Sequence, residues 1–149
     1  MKIIKATKKD LGKIADLYHE YDKYEHNLDK SVELCSRKMV KKSEERWMNF
    51  GTKYILVKEN EKIVGALNFD IDLRGKEKIG VLHTLIITKD ARGKGYGTQL
   101  VKYLLDYFKQ KSCSRVRTFI HLNNKDAFSF WKKLGFETSV GYVATRTLK

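Results

Sequence analysis

Apolar positions along this chain change their period several times, and each change marks a predicted element. Lys2 to Ala6 reads as a short strand, and Thr7 with Asp10 three residues later forms a helix-capping pattern. Leu11, Ile14, Ala15, Leu17, Tyr18 and Tyr21 then recur at helical spacing. The next stretch, YHEYDKYEHNL from Tyr18 to Leu28, is dense in Tyr, His and acidic residues. It is either the exposed end of the first helix with a loop, or the wall of a site for a cationic or polar ligand. Ser31 to Met48 carries weak helical periodicity through Leu34, Cys35, Met39, Trp47 and Met48, which predicts a second helix. Tyr54 to Lys58 and Ile63 to Asp72 are strand-like and predict an antiparallel hairpin around Glu59-Asn60-Glu61-Lys62. Arg74-Gly75-Lys76 turns the chain again.

The most informative stretch runs from Leu82 to Leu105, LHTLIITKDARGKGYGTQLVKYLL. Leu82 to Thr88 is short, apolar and rich in β-branched residues, so it reads as a buried strand. Arg92-Gly93-Lys94-Gly95-Tyr96-Gly97 follows, and Leu100, Val101, Leu104, Leu105 and Phe108 then recur at helical spacing. Glycines at alternate positions leave successive backbone N–H groups free to turn toward an anion. The first N–H groups of the helix and the positive end of its dipole favour phosphate at the same point. The glycines do not match GxxxxGK[ST] or GxGxxG, so neither a Walker A loop nor a dinucleotide fingerprint is present. Downstream, Arg115 to His121 alternates as a strand, and a helix from about Asn124 to Leu134 carries Ala127, Phe128, Phe130, Trp131 and Leu134 on its apolar side, with Gly135 as its stop. Tyr142 to Leu148 predicts a last strand.

Composition narrows the class. A chain of 149 residues with 42% hydrophobic content and no Pro- or Ser-rich linker is expected to form a single domain, 1–149. The N-terminus is too polar for a signal peptide and no stretch is apolar enough to span a membrane, so the expected location is cytoplasmic, with no membrane partner. Cys35 and Cys113 stand alone, which predicts reduced, non-catalytic thiols and no metal. The net charge of +13 attracts polyanions, yet the lysines are spread along the chain rather than gathered in one arm.

Arg92, Gly95 and Gly97 match the R/Q-x-x-G-x-G/A motif, and Asn124, Ala127, Phe130, Trp131, Lys133, Gly135 and Phe136 resemble the N-x-x-A-x-x-hydrophobic-Y-x-K-x-G-F stretch. Both belong to the GNAT N-acetyltransferase superfamily, and here they occur in the family's order, with one helix and one strand between them. The resemblance implies an α/β (α+β) fold: a mixed, mainly antiparallel central sheet with helices on both faces, whose fourth and fifth strands splay apart. It implies acetyl-CoA as cosubstrate and transfer of its acetyl group to a primary amine of a small molecule or peptide. The coenzyme-binding residues it implies are Leu85, Ile86 and Ile87 on the strand, Arg92, Gly93, Lys94, Gly95, Tyr96, Gly97 and Thr98 at the loop, and Asn124 and Trp131 beyond.

An acceptor ammonium must lose a proton before it attacks. His83 stands where many family members carry Glu, and Asp70 and Asp72 on the preceding strand are alternative bases; each also reads as an ordinary satisfied or solvated side chain. Trp131 occupies the position of the family's usual Tyr acid, and an indole N–H donates a hydrogen bond without serving as an acid. A nearby Tyr, Ser129 or water is left to take that step, or the thiolate leaves unassisted. Two further functions fit parts of the sequence: a coenzyme-binding module with little catalysis, prompted by Trp131, and a basic nucleic-acid-binding protein, prompted by the charge. The acceptor remains open, as does the choice between monomer and homodimer, because the final strand either ends the sheet or pairs with a second subunit.

Overall fold

A computed structural model describes residues 1–139 and 143–148. Among the described residues seven strands form one sheet: β1 (Lys2–Lys5), β2 (Lys53–Glu59), β3 (Lys62–Arg74), β4 (Glu77–Ile87), β5 (Arg115–Phe119), β6 (Glu137–Ser139) and β7 (Val143–Thr147). Their spatial order is β1-β2-β3-β4-β5-β7-β6, antiparallel except for the β4–β5 pair. Four helices flank it: α1 (Leu11–Leu28), α2 (Arg37–Asn49), α3 (Tyr96–Gln110) and α4 (Lys125–Lys133). The fold is therefore the mixed, mainly antiparallel sheet with helices on both faces that the resemblance implies.

Two apolar clusters, one on each sheet face, hold the layers together. Ile14, Leu17 and Tyr18 of α1 and Val40 of α2 pack with Tyr54, Leu56, Ala66 and Ile86 on one face. Leu100, Val101, Leu104 and Phe108 of α3 pack with Ile55, Val57, Leu67, Phe69 and Leu82 on the other. Alternation along β2 sends Tyr54 and Leu56 one way and Ile55 and Val57 the other, so one strand feeds both cores. Phe108 is fully buried, a burial that stabilises the fold by roughly 1.5–3 kcal/mol. It lies over Gly80, where an added Cβ would stand 2.6 Å from the ring. Only glycine lets α3 approach β4 this closely.

Several boundaries differ from the sequence-based expectation. The first helix continues to Leu28, so the Tyr- and acid-rich stretch is helical throughout. The second begins at Arg37 rather than Ser31, with Ser36 as its cap accepting from the Met39 N–H. The fourth strand starts at Glu77, five residues before Leu82, because the β3–β4 hairpin extends as far as the Arg74–Glu77 pair. Glu77 and Lys78 at the hairpin end are polar, while Ile79 and Val81 are buried apolar residues that extend the run across Gly80. The fifth strand stops at Phe119 instead of His121. Strand β6 was not anticipated; its three residues are too few for a periodic signal. The last strand lies between β5 and β6, inside the sheet rather than at its edge; Tyr142, its expected first residue, lies outside the described residues.

The feature that creates a site is the parting of β4 and β5. They pair from Ile79–Arg115 to Leu82–Thr118 and no further. At that point β4 carries a bulge: Phe69 faces Leu82 and Asn68 faces Thr84, which leaves His83 unopposed on β3. Bulges bend a strand and re-aim a side chain. The N–H of Thr84 donates instead to Asn68 Oδ1 at 2.9 Å, and Asn68 is itself buried.

Candidate active site

A cavity of about 560 Å³ opens where β4 and β5 separate, walled by β4 from Leu82 to Ile87, by Thr118 to His121, by the glycine loop, by α4 and by Tyr21 and Tyr24 of α1. Beyond Leu82 the β5-facing edge of β4 has no strand partner among the described residues. An extended ligand arm laid along such an edge meets unpaired backbone donors and acceptors.

At one end stands the glycine loop. Gly93 and Gly95 adopt φ of +78° and +81°, the left-handed region in which side chains with a Cβ are strained. Gly95 caps α3, whose earliest backbone bond in the loop runs from the Gln99 N–H to the Gly95 carbonyl at 3.0 Å. The N–H groups of Tyr96, Gly97 and Thr98 therefore have no acceptor in the helix and are oriented for an anion. Gly97 has ordinary φ; a Cβ there would lie 3.4 Å from the Phe130 ring, so its bareness keeps the helix start close to α4. Arg92 lines the cavity, its Nε donating to the Ile87 carbonyl at 3.0 Å and its guanidinium lying 5.9 Å from the Tyr24 ring centre. The loop, α1 and the end of β4 are thereby tied together.

At the other end the bulge turns His83 into the cavity. Its Nε2 lies 2.9 Å from Asp70 Oδ2, which also accepts from Thr52 Oγ1 at 2.9 Å. With the proton on Nε2 and donated to Asp70, Nδ1 keeps its lone pair for another proton. Two further lining side chains are backed by carboxylates. Tyr21 donates to Glu25 Oε1, and His121 Nε2 lies 3.2 Å from Asp29 Oδ2. Burial first and the bond to Glu25 second push the Tyr21 phenol well above its ordinary value. Bonds from the Ser31 hydroxyl and N–H, with a smaller contribution from His121, hold the Asp29 carboxyl below the usual range. Asp22 on α1 is pushed up by burial and by Glu25.

Of the residues singled out in the sequence, His83, Leu85, Ile86, Ile87, Arg92, Gly93, Gly95, Tyr96, Gly97, Thr98, Asn124 and Trp131 all line the one cavity. Three expectations change. Asp72 does not join His83; it faces Arg74 Nε at 2.9 Å and Arg117 at 3.6 Å, one pleat further along β3. Asp70 stands beside His83, within hydrogen-bond distance of its Nε2, rather than apart from it as a separate candidate. Lys94 does not line the cavity: its Nζ is held by both carboxylate oxygens of Glu59, at 3.0 and 3.1 Å. Trp131 is 6% exposed, closed in by Phe130 and Phe136 with ring centres 5.0 and 4.9 Å away. Asn124 caps α4, accepting from the Ala127 N–H at 3.0 Å, and also accepts from the Tyr24 hydroxyl at 3.3 Å. Cys35 and Cys113 are free, with burial pushing both thiols up. Among the described residues no group of His, Cys, Asp and Glu is arranged for a metal, and no helix is long and apolar enough to cross a membrane.

Sequence reasoning left Tyr21 and Tyr24 undecided and missed Thr52, Glu59, Phe119 and the His121–Asp29 pair. The spacing of Tyr18, Tyr21 and Tyr24 was a usable signal, since a step of three keeps side chains on neighbouring parts of a helix face. Nothing local marks Glu59 or Thr52; each meets its partner across the sheet.

A splayed β4–β5 pair with a glycine-rich loop feeding α3 defines an acyltransferase-like architecture, and comparison with known proteins gives the family. Residues 14–136 match the Acetyltransferase (GNAT) family, and this chain belongs to it. An N-acetyltransferase of Methanocaldococcus jannaschii described as uncharacterised is 28% identical over 139 residues, 89% of this chain and 58% of that protein. N-alpha-acetyltransferase 30 of Schizosaccharomyces pombe is 32% identical over 79 residues, 52% of this chain and 53% of that protein. The chain thus spans a little over half the length of these relatives. Among solved structures, the PaiA N-acetyltransferase of Thermoplasma acidophilum in complex with coenzyme A superposes with a TM-score of 0.81 at 17% identity, covering 99% of this chain and 98% of that one.

Proposed function

We propose that the chain is an N-acetyltransferase that passes the acetyl group of acetyl-CoA directly to a primary amine. The observation that carries this is the single cavity into which the glycine loop opens at one end and the His83–Asp70 pair at the other. Acetyl-CoA supplies an acyl carbon activated as a thioester. The N–H groups of Tyr96 to Thr98 with Arg92 suit its pyrophosphate, the open edge of β4 at Leu85 to Ile87 suits the pantetheine arm, and Asn124 and the face of Trp131 complete the wall.

His83 Nδ1 takes the proton that the acceptor ammonium must lose, and Asp70 keeps the imidazole in the right tautomer and stabilises it once charged. The amine nitrogen then bonds to the acetyl carbon as the carbon–sulfur bond breaks. Trp131 is no acid for the departing thiolate. Of the phenols lining the cavity, Tyr21 and Tyr96 are committed to Glu25 and Glu59, whereas Tyr24 makes only the long bond to Asn124. Tyr24 is therefore the donor for this step. The Asp70 carboxylate behind His83 favours an amine that carries positive charge over an acidic peptide.

The test is release of free coenzyme A from acetyl-CoA with separate pools of polyamines and aminoglycosides, free amino acids, and short peptides with free N-termini or lysines. Release with the cationic pool is the expected result. Binding of acetyl-CoA by titration without release from any pool supports instead a coenzyme-binding module, the role that Trp131 favours.

A further inference from the structure

A carboxylate stands where the phosphate loop calls for cations. The β2–β3 hairpin turns through Asn60 and Glu61, at φ of 48° and 62°, and the residues on either side of this turn reach the loop. Lys62 Nζ faces Asp90 Oδ2 at 3.4 Å. Glu59 takes both a bidentate contact from Lys94 and the hydroxyl of Tyr96. Lys94 and Tyr96 alternate with the glycines of the loop, so two side chains beside the backbone cradle are held by an internal anion. The chain has 31 Lys and Arg against 18 Asp and Glu, yet this lysine is neutralised.

A bare scaffold would not need the charge. Tyr96 donates equally well to an amide oxygen, and the loop is already shaped by Gly93, Gly95 and the Arg92–Ile87 bond. A full negative charge at this point does one thing that an amide does not: it repels a pyrophosphate and competes with it for Lys94. We infer that Glu59 is an affinity-setting residue, an internal competitor that holds Lys94 in the empty protein and surrenders it when the coenzyme's phosphates arrive. Because acetyl-CoA and free coenzyme A carry the same phosphates, Glu59 weakens both and limits retention of the product. The bond from Tyr96 and the ammonium of Lys94 hold the Glu59 carboxyl below the ordinary range, so it stays charged throughout the neutral range.

This inference rests on the loop being the pyrophosphate site, and titration of three ligands separates the two. With wild-type protein, Glu59→Gln, Lys94→Met and the double variant, the probes are coenzyme A, acetyl-CoA and S-acetylpantetheine, which lacks the phosphates. Glu59→Gln should tighten both phosphate-bearing ligands by about three- to ten-fold at low salt, less at high salt, and leave S-acetylpantetheine unchanged. In the Lys94→Met background the gain should shrink, since part of it comes from freeing Lys94. Unchanged or weakened coenzyme A binding in Glu59→Gln, with wild type binding normally, overturns the competitor role and leaves the site assignment standing. An equal gain for S-acetylpantetheine also overturns it. Failure of the wild type to bind coenzyme A, while folded, removes the site assignment and the inference together.

Discussion

The two ends of the cavity are built in opposite ways. The proposed coenzyme end is made from consecutive residues, Arg92 to Thr98, and the groups proposed to bind are backbone N–H donors set by positive φ at Gly93 and Gly95. The proposed acceptor end is made from side chains on separate elements: His83 on the β4 bulge, Asp70 on β3 and Thr52 before β2. A backbone cradle depends on conformation and tolerates changes of side chain around it. A side-chain constellation depends on every element that presents a member. Mutations should therefore separate binding from chemistry.

The largest effect belongs to the cradle. Gly95→Glu combines backbone strain at φ of +81° with a carboxylate in the anion site. Acetyl-CoA binding measured by titration should fall by roughly a hundredfold or more, at an expected conformational cost of about 1–3 kcal/mol. An added Cβ would meet only the Gln99 side chain, at an ordinary contact distance of 3.9 Å, so circular dichroism should still report a folded protein. Near-normal binding would falsify the cradle.

Next comes His83→Ala, which should lower kcat by roughly 10²–10⁴ while acetyl-CoA binding stays within a factor of about two. Parallel loss of coenzyme affinity would show that the two ends are not separable. Asp70→Asn leaves the imidazole in place and weakens only its orientation and charge support; a fall in kcat of about tenfold, with acetyl-CoA binding unchanged, is expected. A kcat that does not fall assigns Asp70 to structure alone.

The smallest effect lies behind the acceptor end. Glu44 of α2 is 9% exposed and accepts from Tyr54 at 2.6 Å. Burial, the main cause, and Asp22 raise its carboxyl, while the Tyr54 bond partly offsets them. A carboxyl raised in the folded state binds its proton more tightly there than in the unfolded chain. Its contribution to stability is thus full at low pH and is lost as pH rises through the folded value. Glu44→Gln keeps an acceptor for Tyr54 without the buried charge. It should be more stable than wild type by about 1 kcal/mol near neutral pH, with the difference in Tm closing below about pH 4. A Tm difference independent of pH would show that the charge is not responsible.

Much of this organisation was legible in the sequence. The glycine loop, the strand before it and the helix after it are local: the residues that set the backbone are the residues proposed to bind. The Asn124 to Phe136 stretch was legible for a similar reason, since Asn124 caps the helix that carries Trp131, and Gly135 at φ of +79° ends it. His83 and Asp70 could be singled out as types but not as a pair. Thirteen positions separate them, and their meeting depends on the β3–β4 register and on where the bulge falls, which a slip of one residue would undo.

What the sequence determined by itself is therefore the family fold, the anion cradle and the likeness to a coenzyme-dependent transferase, because short-range backbone geometry and apolar periodicity suffice for each. Only the tertiary structure decided which carboxylate stands behind His83, that Asp72 is taken by Arg74 and Arg117, and that Lys94 answers to Glu59 across 35 positions. Those choices rest on contacts between elements distant in the chain, where periodicity shows which face a residue takes but not which partner the packing brings to it.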